Sequence, residues 1–193
     1  MEKFEQLGLT VIDGWIEQAQ RLPSPNCNQR PEPSEISLLV IHNISLPPGQ
    51  FGGGQVQDFF CNKLDCDEHP YFEQLRDVCV SAHLFIDRDG QLIQFVPFHQ
   101  RAWHAGVSEF GGRAECNDYS VGIELEGTDH DAYTSAQYRQ LTRVTQALMQ
   151  AYPALTRRRI CGHQDIAPGR KTDPGPAFDW RNFLATLAHD GDQ

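Results

Sequence analysis

A hydrolytic centre built on one metal ion takes three nitrogen or oxygen ligands and leaves a fourth position for water, so converging His and Asp residues are the first thing to look for. His42 follows the apolar run ISLLVI, and His163 follows a short apolar stretch ending in Cys161-Gly162. Asp173 lies ten residues beyond His163, in the loop IAPGRKTDPGPAFDW. The prolines stiffen that loop, which can fold Asp173 back toward His163. Glu124 and Glu126 in SVGIELEG offer two carboxylates on one side of a strand, and either suits a general base. No HExxH helix occurs, and the His163 to Asp173 spacing does not by itself identify a metal site. A lone histidine at a strand end is more often a hydrogen-bonding or core residue than a ligand. These residues alone leave zinc as one option among others.

Such a triad works only if the elements carrying it end together. Ile36 to Ile41 form a continuous apolar run, the pattern of a central strand buried on both faces, with His42 at its exit. The loop SLPPGQFGGG comes next, and then Val56, Phe59, Phe60 and Leu64 recur at helical spacing. Val80 to Ile86 and Leu92 to Val96 flank DRDG, a hairpin turn. In SVGIELEG, Val121, Ile123 and Leu125 share one face, while Gly122, Glu124 and Glu126 share the other. Thr134 and Gln137 form a capping box ahead of Tyr138, Leu141, Val144, Leu148 and Tyr152, and Pro153 ends that helix. A short strand spans Arg158 to Cys161, and a last helix runs from Trp180 to about Ala188. The expected fold is a single α/β domain, a central mixed sheet flanked by helices. Residues 1–35, which include the proline-rich LPSPNCNQRPEPSE, should form an arm packed on the domain of residues 36–193.

Composition narrows the function. A chain of 193 residues, 39% hydrophobic and 22% charged, can build a normal core without staples. Its six cysteines show no CxxC pair and should be reduced, with Cys79 and Cys161 acting as small hydrophobes in strand-like stretches. A net charge of -10 disfavours nucleic acid and anionic membranes as partners. The cluster Arg157, Arg158 and Arg159 should be solvated surface. No run of eighteen apolar residues occurs, and the N-terminal MEKFEQLGLTVIDGW lacks a basic segment followed by an apolar one, so a cytoplasmic protein is expected.

The segments LLVIHNISLPPGQFGGG, RAWHAGVS, CNDYSVGIELEGTD and GHQDIAPGRKTDPGPAFDW together resemble the AmpD-type anhydromuramoyl-L-alanine amidases. These zinc enzymes share a fold with phage-lysozyme-type amidases and peptidoglycan recognition proteins. The resemblance implies one Zn2+ per chain held by His42, His163 and Asp173, with Glu124 as general base and Lys171 stabilising the transition state. It implies cleavage between (1,6-anhydro-)N-acetylmuramic acid and L-alanine of a small soluble muropeptide, in bacterial peptidoglycan recycling, by a monomer. Trp103 and His104 are candidates for a sugar-stacking wall and a polar contact, and Asn43 for a bond to the stem peptide. The alternatives are an amidase acting on intact peptidoglycan and a non-catalytic muropeptide recognition module. The chain departs from the family at Cys79 and Glu115, where family members carry arginine, so the stem-peptide preference stays open.

Overall fold

The structure is a computed structural model that describes residues 8–187. Its centre is a six-stranded mixed sheet that owes its order to one long parallel pair, β5 (Leu38–Ile44) and β11 (Ser120–Glu126). On the other side of β5 lies β12 (Ile160–Gly162), also parallel. Beyond β11 come β6 (Leu84–Ile86), β7 (Leu92–Gln94) and β3 (Gln20–Arg21), giving the order β12-β5-β11-β6-β7-β3. The β6–β7 pair is antiparallel across the expected Asp89-Gly90 turn, and Gly90 takes the positive φ that this turn requires. Three small antiparallel pairs surround the sheet: β1 (Val11–Ile12) with β2 (Trp15–Ile16), β4 (Cys27–Gln29) with β8 (Gln100–Ala102), and β9 (Glu109–Phe110) with β10 (Arg113–Ala114).

Both faces of β5 are covered, which is why its apolar residues do not alternate with polar ones. Leu39 and Ile41 pack with Leu141, Val144 and Leu148 of α2 (Ser135–Ala151), while Leu38 and Val40 pack with Tyr119, Cys161 and Ile166 on the opposite side. Each of the four β5 side chains is fully buried and stabilises the fold by roughly 1.5–3 kcal/mol. Helix α2 starts as its sequence indicates: Thr134 Oγ1 accepts from the Gln137 N–H, and Gln137 Oε1 accepts from the Thr134 N–H. The other helices are α1 (Gln55–Phe60), α3 (His163–Ile166) and α4 (Trp180–Thr186). Ala188, the expected end of the last helix, lies outside the described residues.

Several boundaries differ from the sequence expectation, each for a physical reason. Strand β5 runs on to Ile44 because β11 offers it a ladder along its whole length, so His42 sits inside the strand and not at its exit. β6 begins only at Leu84, because the His83 ring replaces a carbonyl in the ladder and its Nδ1 accepts the Gly122 N–H at 3.1 Å. α1 ends at Phe60, short of Leu64. Arg157–Arg159 form a turn of 3-10 helix ahead of β12, and Arg159 is not simply solvated: its guanidinium donates to the Ser37 carbonyl and lies over the Phe110 ring. All six cysteines are free; Cys161 is buried as expected, whereas Cys79 is exposed and packs in no core.

Residues 8–35 contribute β3 to the sheet edge and β4 to the pair with β8. Arg30 anchors this stretch by donating to the carbonyls of Phe98, Asn117, Asp118 and Ser120, and burial pushes its guanidinium down to about 10. Among the described residues no helix is long and apolar enough to cross a membrane.

Candidate metal centre and catalytic cleft

The parallel register of β5 and β11 sets His42 directly beside Glu124. His163 is the first residue of α3, immediately after β12, so two adjacent strands deliver both imidazoles to one end of the sheet. Asp173 arrives from the following loop, which is held at several places, the Arg170 guanidinium donating to the Ala105 and Val107 carbonyls among them. The Gln164 N–H donates to the Asp173 carbonyl, Tyr133 Oη donates to the Pro174 carbonyl, and the Ala177 N–H donates to the Asp129 carbonyl. Gly175 makes the last contact possible. It takes a positive φ, and a Cβ there would stand 2.3 Å from Asp129 Cα.

The three side chains converge closely. His42 Nδ1 and His163 Nδ1 are 3.0 Å apart, and each lies 3.1 Å from Asp173 Oδ2. Ligand bonds of about 2.0–2.1 Å would place tetrahedral donors about 3.3 Å from one another, close to this triangle. Donor chemistry points the same way. His163 Nε2 faces the Ala105 carbonyl at 3.0 Å, and a carbonyl only accepts, so Nε2 carries a proton and Nδ1 presents its lone pair. His42 Nε2 is likewise engaged, 2.9 Å from His104 Nδ1. Two ring nitrogens and a carboxylate oxygen thus point at one another with their other partners already taken. This arrangement suits a cation, and His42, His163 and Asp173 are the residues that could hold a metal ion.

The electrostatics agree with that geometry. Burial pushes His42 down to about 4, partly opposed by Asp173, and holds His83 and His104 well below the ordinary 6.5. Burial alone would raise the Asp173 carboxyl, but the imidazoles of His163 and His42 outweigh it and keep the group well below the usual carboxylate range. Glu124 is shifted the other way. Burial, and then the charge of Asp173, raise it well above its ordinary 4.5, and Lys171 only partly offsets this.

The triad opens into a cleft of about 720 Å3. Glu124 lines it with Oε2 buried and without a hydrogen-bond partner. Glu126 shares the same strand face but does not line the cleft. Its two oxygens accept from the Gly52 N–H at 2.6 Å and the Arg88 N–H at 3.1 Å. The structure therefore distinguishes two carboxylates that the strand pattern leaves equivalent. Lys171 is exposed on the cleft wall, near enough to Glu124 and His42 to shift both.

The remaining expected residues are also on the cleft wall, in different circumstances. Trp103 is half-buried and its indole N–H donates to Asn28. Asn43 donates to Asp129 at 2.8 Å. The polar contact expected of His104 has no ring nitrogen left to make it, since Nδ1 faces His42 and Nε2 faces Ser120 Oγ at 3.1 Å. Asp129 and Tyr133, which tie the Asp173 loop in place, escape the sequence reading. Only their nearness to the GIELEG block marks them there.

The N-acetylmuramoyl-L-alanine amidase family profile matches residues 32–176. The 1,6-anhydro-N-acetylmuramyl-L-alanine amidase AmpD of Citrobacter freundii is 56% identical over 179 residues, 93% of this chain and 95% of that protein. A crystal structure of an AmpD selenomethionine derivative superposes with a TM-score of 0.90 at 54% identity, covering 93% of this chain and 99% of the other. More distant is Escherichia coli AmiD in complex with the substrate anhydro-N-acetylmuramic acid-L-Ala-D-gamma-Glu-L-Lys, with a TM-score of 0.58 and 27% identity over 93% of this chain and 65% of that one. By profile, sequence and fold alike, this chain belongs to the N-acetylmuramoyl-L-alanine amidase family.

Proposed function

We propose that the chain is a zinc-dependent hydrolase that cuts the amide between 1,6-anhydro-N-acetylmuramic acid and L-alanine in small soluble muropeptides, as a step in peptidoglycan recycling. One observation carries this reading: three mutually facing acceptors, His42, His163 and Asp173, line a cleft that also holds a buried carboxylate oxygen with no partner, on Glu124. The relatives point to the bond cut, since AmpD is named for the anhydromuramyl-L-alanine amide and AmiD binds an anhydromuramyl tripeptide.

In this reading His42, His163 and Asp173 hold one zinc ion per chain, which when bound supplies a Lewis acid that polarises the amide carbonyl and acidifies water. Glu124 accepts the proton of the attacking water at its unpartnered oxygen, and its raised affinity for protons suits it to keep that proton until the leaving amine takes it. The new bond is C–O, the broken bond is C–N, and the water's proton ends on the alanine amine. The exposed Lys171 ammonium on the cleft wall supplies the positive charge that stabilises the oxyanion. Trp103 offers an aromatic wall to the sugar and Asn43 an amide to the peptide. The enzyme acts as a monomer, with residues 1–35 as an arm on the catalytic domain of residues 36–193. Six unpaired cysteines, Cys79 exposed among them, fit the reducing cytoplasm.

The test is to incubate the protein with anhydromuramoyl-tripeptide and with intact peptidoglycan, with and without a chelator, alongside Asp173→Ala, and to read the products by mass spectrometry. The expected result is anhydromuramic acid and free peptide from the soluble fragment, only when metal and Asp173 are both present. A zinc-loaded protein that binds the fragment and leaves it intact overturns the reading in favour of a recognition module.

A further inference from the structure

His104 and Ala105 are consecutive residues, and between them they reach both imidazoles of the metal triad. His104 Nδ1 lies 2.9 Å from His42 Nε2, and the Ala105 carbonyl lies 3.0 Å from His163 Nε2. Two side chains fix the dipeptide: Asn117 Oδ1 accepts the backbone N–H of His104 at 3.1 Å and that of Ala105 at 2.8 Å, and the Arg170 guanidinium donates to the Ala105 carbonyl at 2.7 Å. The His104 ring is fixed as well. It stands edge-on to His42, with centroids 5.0 Å apart at 86°, and its Nε2 lies 3.1 Å from Ser120 Oγ. Strand β11 makes room for it at Gly122, where a Cβ would sit 2.4 Å from the ring's Cγ and 2.5 Å from Nδ1. No residue larger than glycine fits beneath this ring.

We propose that His104 and Ala105, pinned by Asn117 and seated over Gly122, form one clamp that sets the tautomer of both metal-site histidines. A consistent proton assignment runs along it. His104 Nε2–H donates to Ser120 Oγ, which leaves Nδ1 to accept from His42 Nε2–H, while the Ala105 carbonyl accepts from His163 Nε2–H. Both Nδ1 lone pairs are then presented toward Asp173. His104 is in this account a positioning residue and not a substrate contact, and the remote Asn117 and Gly122 act on the metal site through it. The inference rests on the metal reading above. It extends that reading to side chains that touch neither metal nor substrate, and outer partners of metal-bound histidines typically change affinity by about 10- to 100-fold.

The experiment is zinc affinity by competition with a chromophoric chelator, on the full chain, for wild type, His104→Ala, His104→Asn, Gly122→Ala and the Gly122→Ala/His104→Ala double variant. His104→Ala and Gly122→Ala should each weaken zinc by about 10- to 100-fold. His104→Asn, whose amide oxygen can accept from His42 Nε2–H, should recover most of the loss. Gly122→Ala should cost little more once the ring above it is gone, a non-additivity that a general loss of stability does not produce. Nitrogen-15 NMR of the zinc-loaded wild type reads the same point directly, with His42 and His163 both protonated at Nε2. Zinc affinity equal to wild type in His104→Ala, or a proton at His42 Nδ1 in the loaded protein, overturns the clamp and leaves the metal reading standing. A wild type that takes up no zinc overturns the metal reading, and the clamp with it.

Discussion

Glu126 and the start of α2 make a region where polar groups find partners, whereas two residues earlier on the same strand face Glu124 keeps a buried oxygen with none. Around Glu126, the carboxylate accepts from Gly52 and Arg88, the Glu126 carbonyl accepts from the Gln137 amide at 2.8 Å, and Thr134 Oγ1 donates to the Arg88 carbonyl at 2.7 Å. Around Glu124, the neighbouring strand supplies His42, and the facing loop supplies Asp173 and Lys171, none of which donates to Oε2. Buried polar groups are expensive unless paired, so the first region reads as structure and the second as a site that tolerates a cost for chemistry. Two glutamates of one strand face thus separate by their partners, and substitutions should separate them further.

The largest contrast is in Glu124→Gln. Turnover of the soluble muropeptide should fall by about 10²- to 10⁴-fold, the usual worth of a general base, while zinc content stays at the wild-type level. The same change should stabilise the metal-free protein at neutral pH. Because the folded Glu124 carboxyl is raised above its ordinary 4.5, the folded protein retains a proton there that the unfolded chain has released. The contribution is therefore fully present below about 4.5 and is lost as the pH rises through the raised value. Glutamine does not titrate, so the melting temperature of Glu124→Gln should exceed wild type at pH 7 to 8 and approach it at acid pH. A variant that is both inactive and less stable at neutral pH would place Glu124 with Glu126.

Glu126→Gln should do the reverse. Its amide NH2 would face a backbone N–H where a carboxylate oxygen now accepts, at a cost of about 1–3 kcal/mol in stability by denaturant unfolding. Activity per folded molecule should stay within a few-fold of wild type, since Glu126 does not line the cleft. A large loss of kcat without a loss of stability would contradict the division.

How much of this was legible beforehand follows from how local each feature is. The α2 capping box and its apolar stripe are written within one stretch of chain, and they appear where the periodicity puts them. The alternation of β11 and the Asp89-Gly90 turn are equally local. The end of β5 is not, because it depends on how far β11 runs beside it, and the start of β6 depends on a side chain, His83, displacing a backbone bond. At the site, the pattern brought both glutamates to one face, but what separates them is two N–H groups from remote loops, at Gly52 and Arg88. His104 follows the same logic. Its place behind His42 requires the gap at Gly122 on another strand, and no spacing within RAWHAGVS records it.

Thr134→Ala isolates the satisfied region from the site. It removes the hydroxyl that accepts from Gln137 N–H and donates to the Arg88 carbonyl, and loss of a cap of this type costs about 1 kcal/mol. Zinc affinity and turnover should not change, because neither partner belongs to the cleft wall.

Tyr133→Phe makes the sharpest comparison, because this residue joins the two regions. Its hydroxyl donates to the Pro174 carbonyl at 2.8 Å, next to Asp173, while its ring packs on Phe178 within the α2 core. Phenylalanine keeps the ring and loses the hydroxyl's bonds to the Pro174 carbonyl and, at 3.2 Å, the Thr128 carbonyl, at a cost in unfolding of about 0.5–1.5 kcal/mol for each hydrogen bond lost. If those bonds matter chiefly for the fold, the loss appears in the unfolding midpoint and zinc affinity is untouched. The Asp173 loop has Gln164, Asp129 and the Arg170 guanidinium, which donates to the Ala105 and Val107 carbonyls, as its other anchors, and Tyr133 holds the residue next to Asp173, so removing its hydroxyl should loosen Asp173 and weaken zinc binding measurably while the metal-free protein remains folded. A calorimetric titration with zinc on the two proteins decides it: a lower affinity in Tyr133→Phe makes Tyr133 a brace of the metal site, and equal affinities return it to the core.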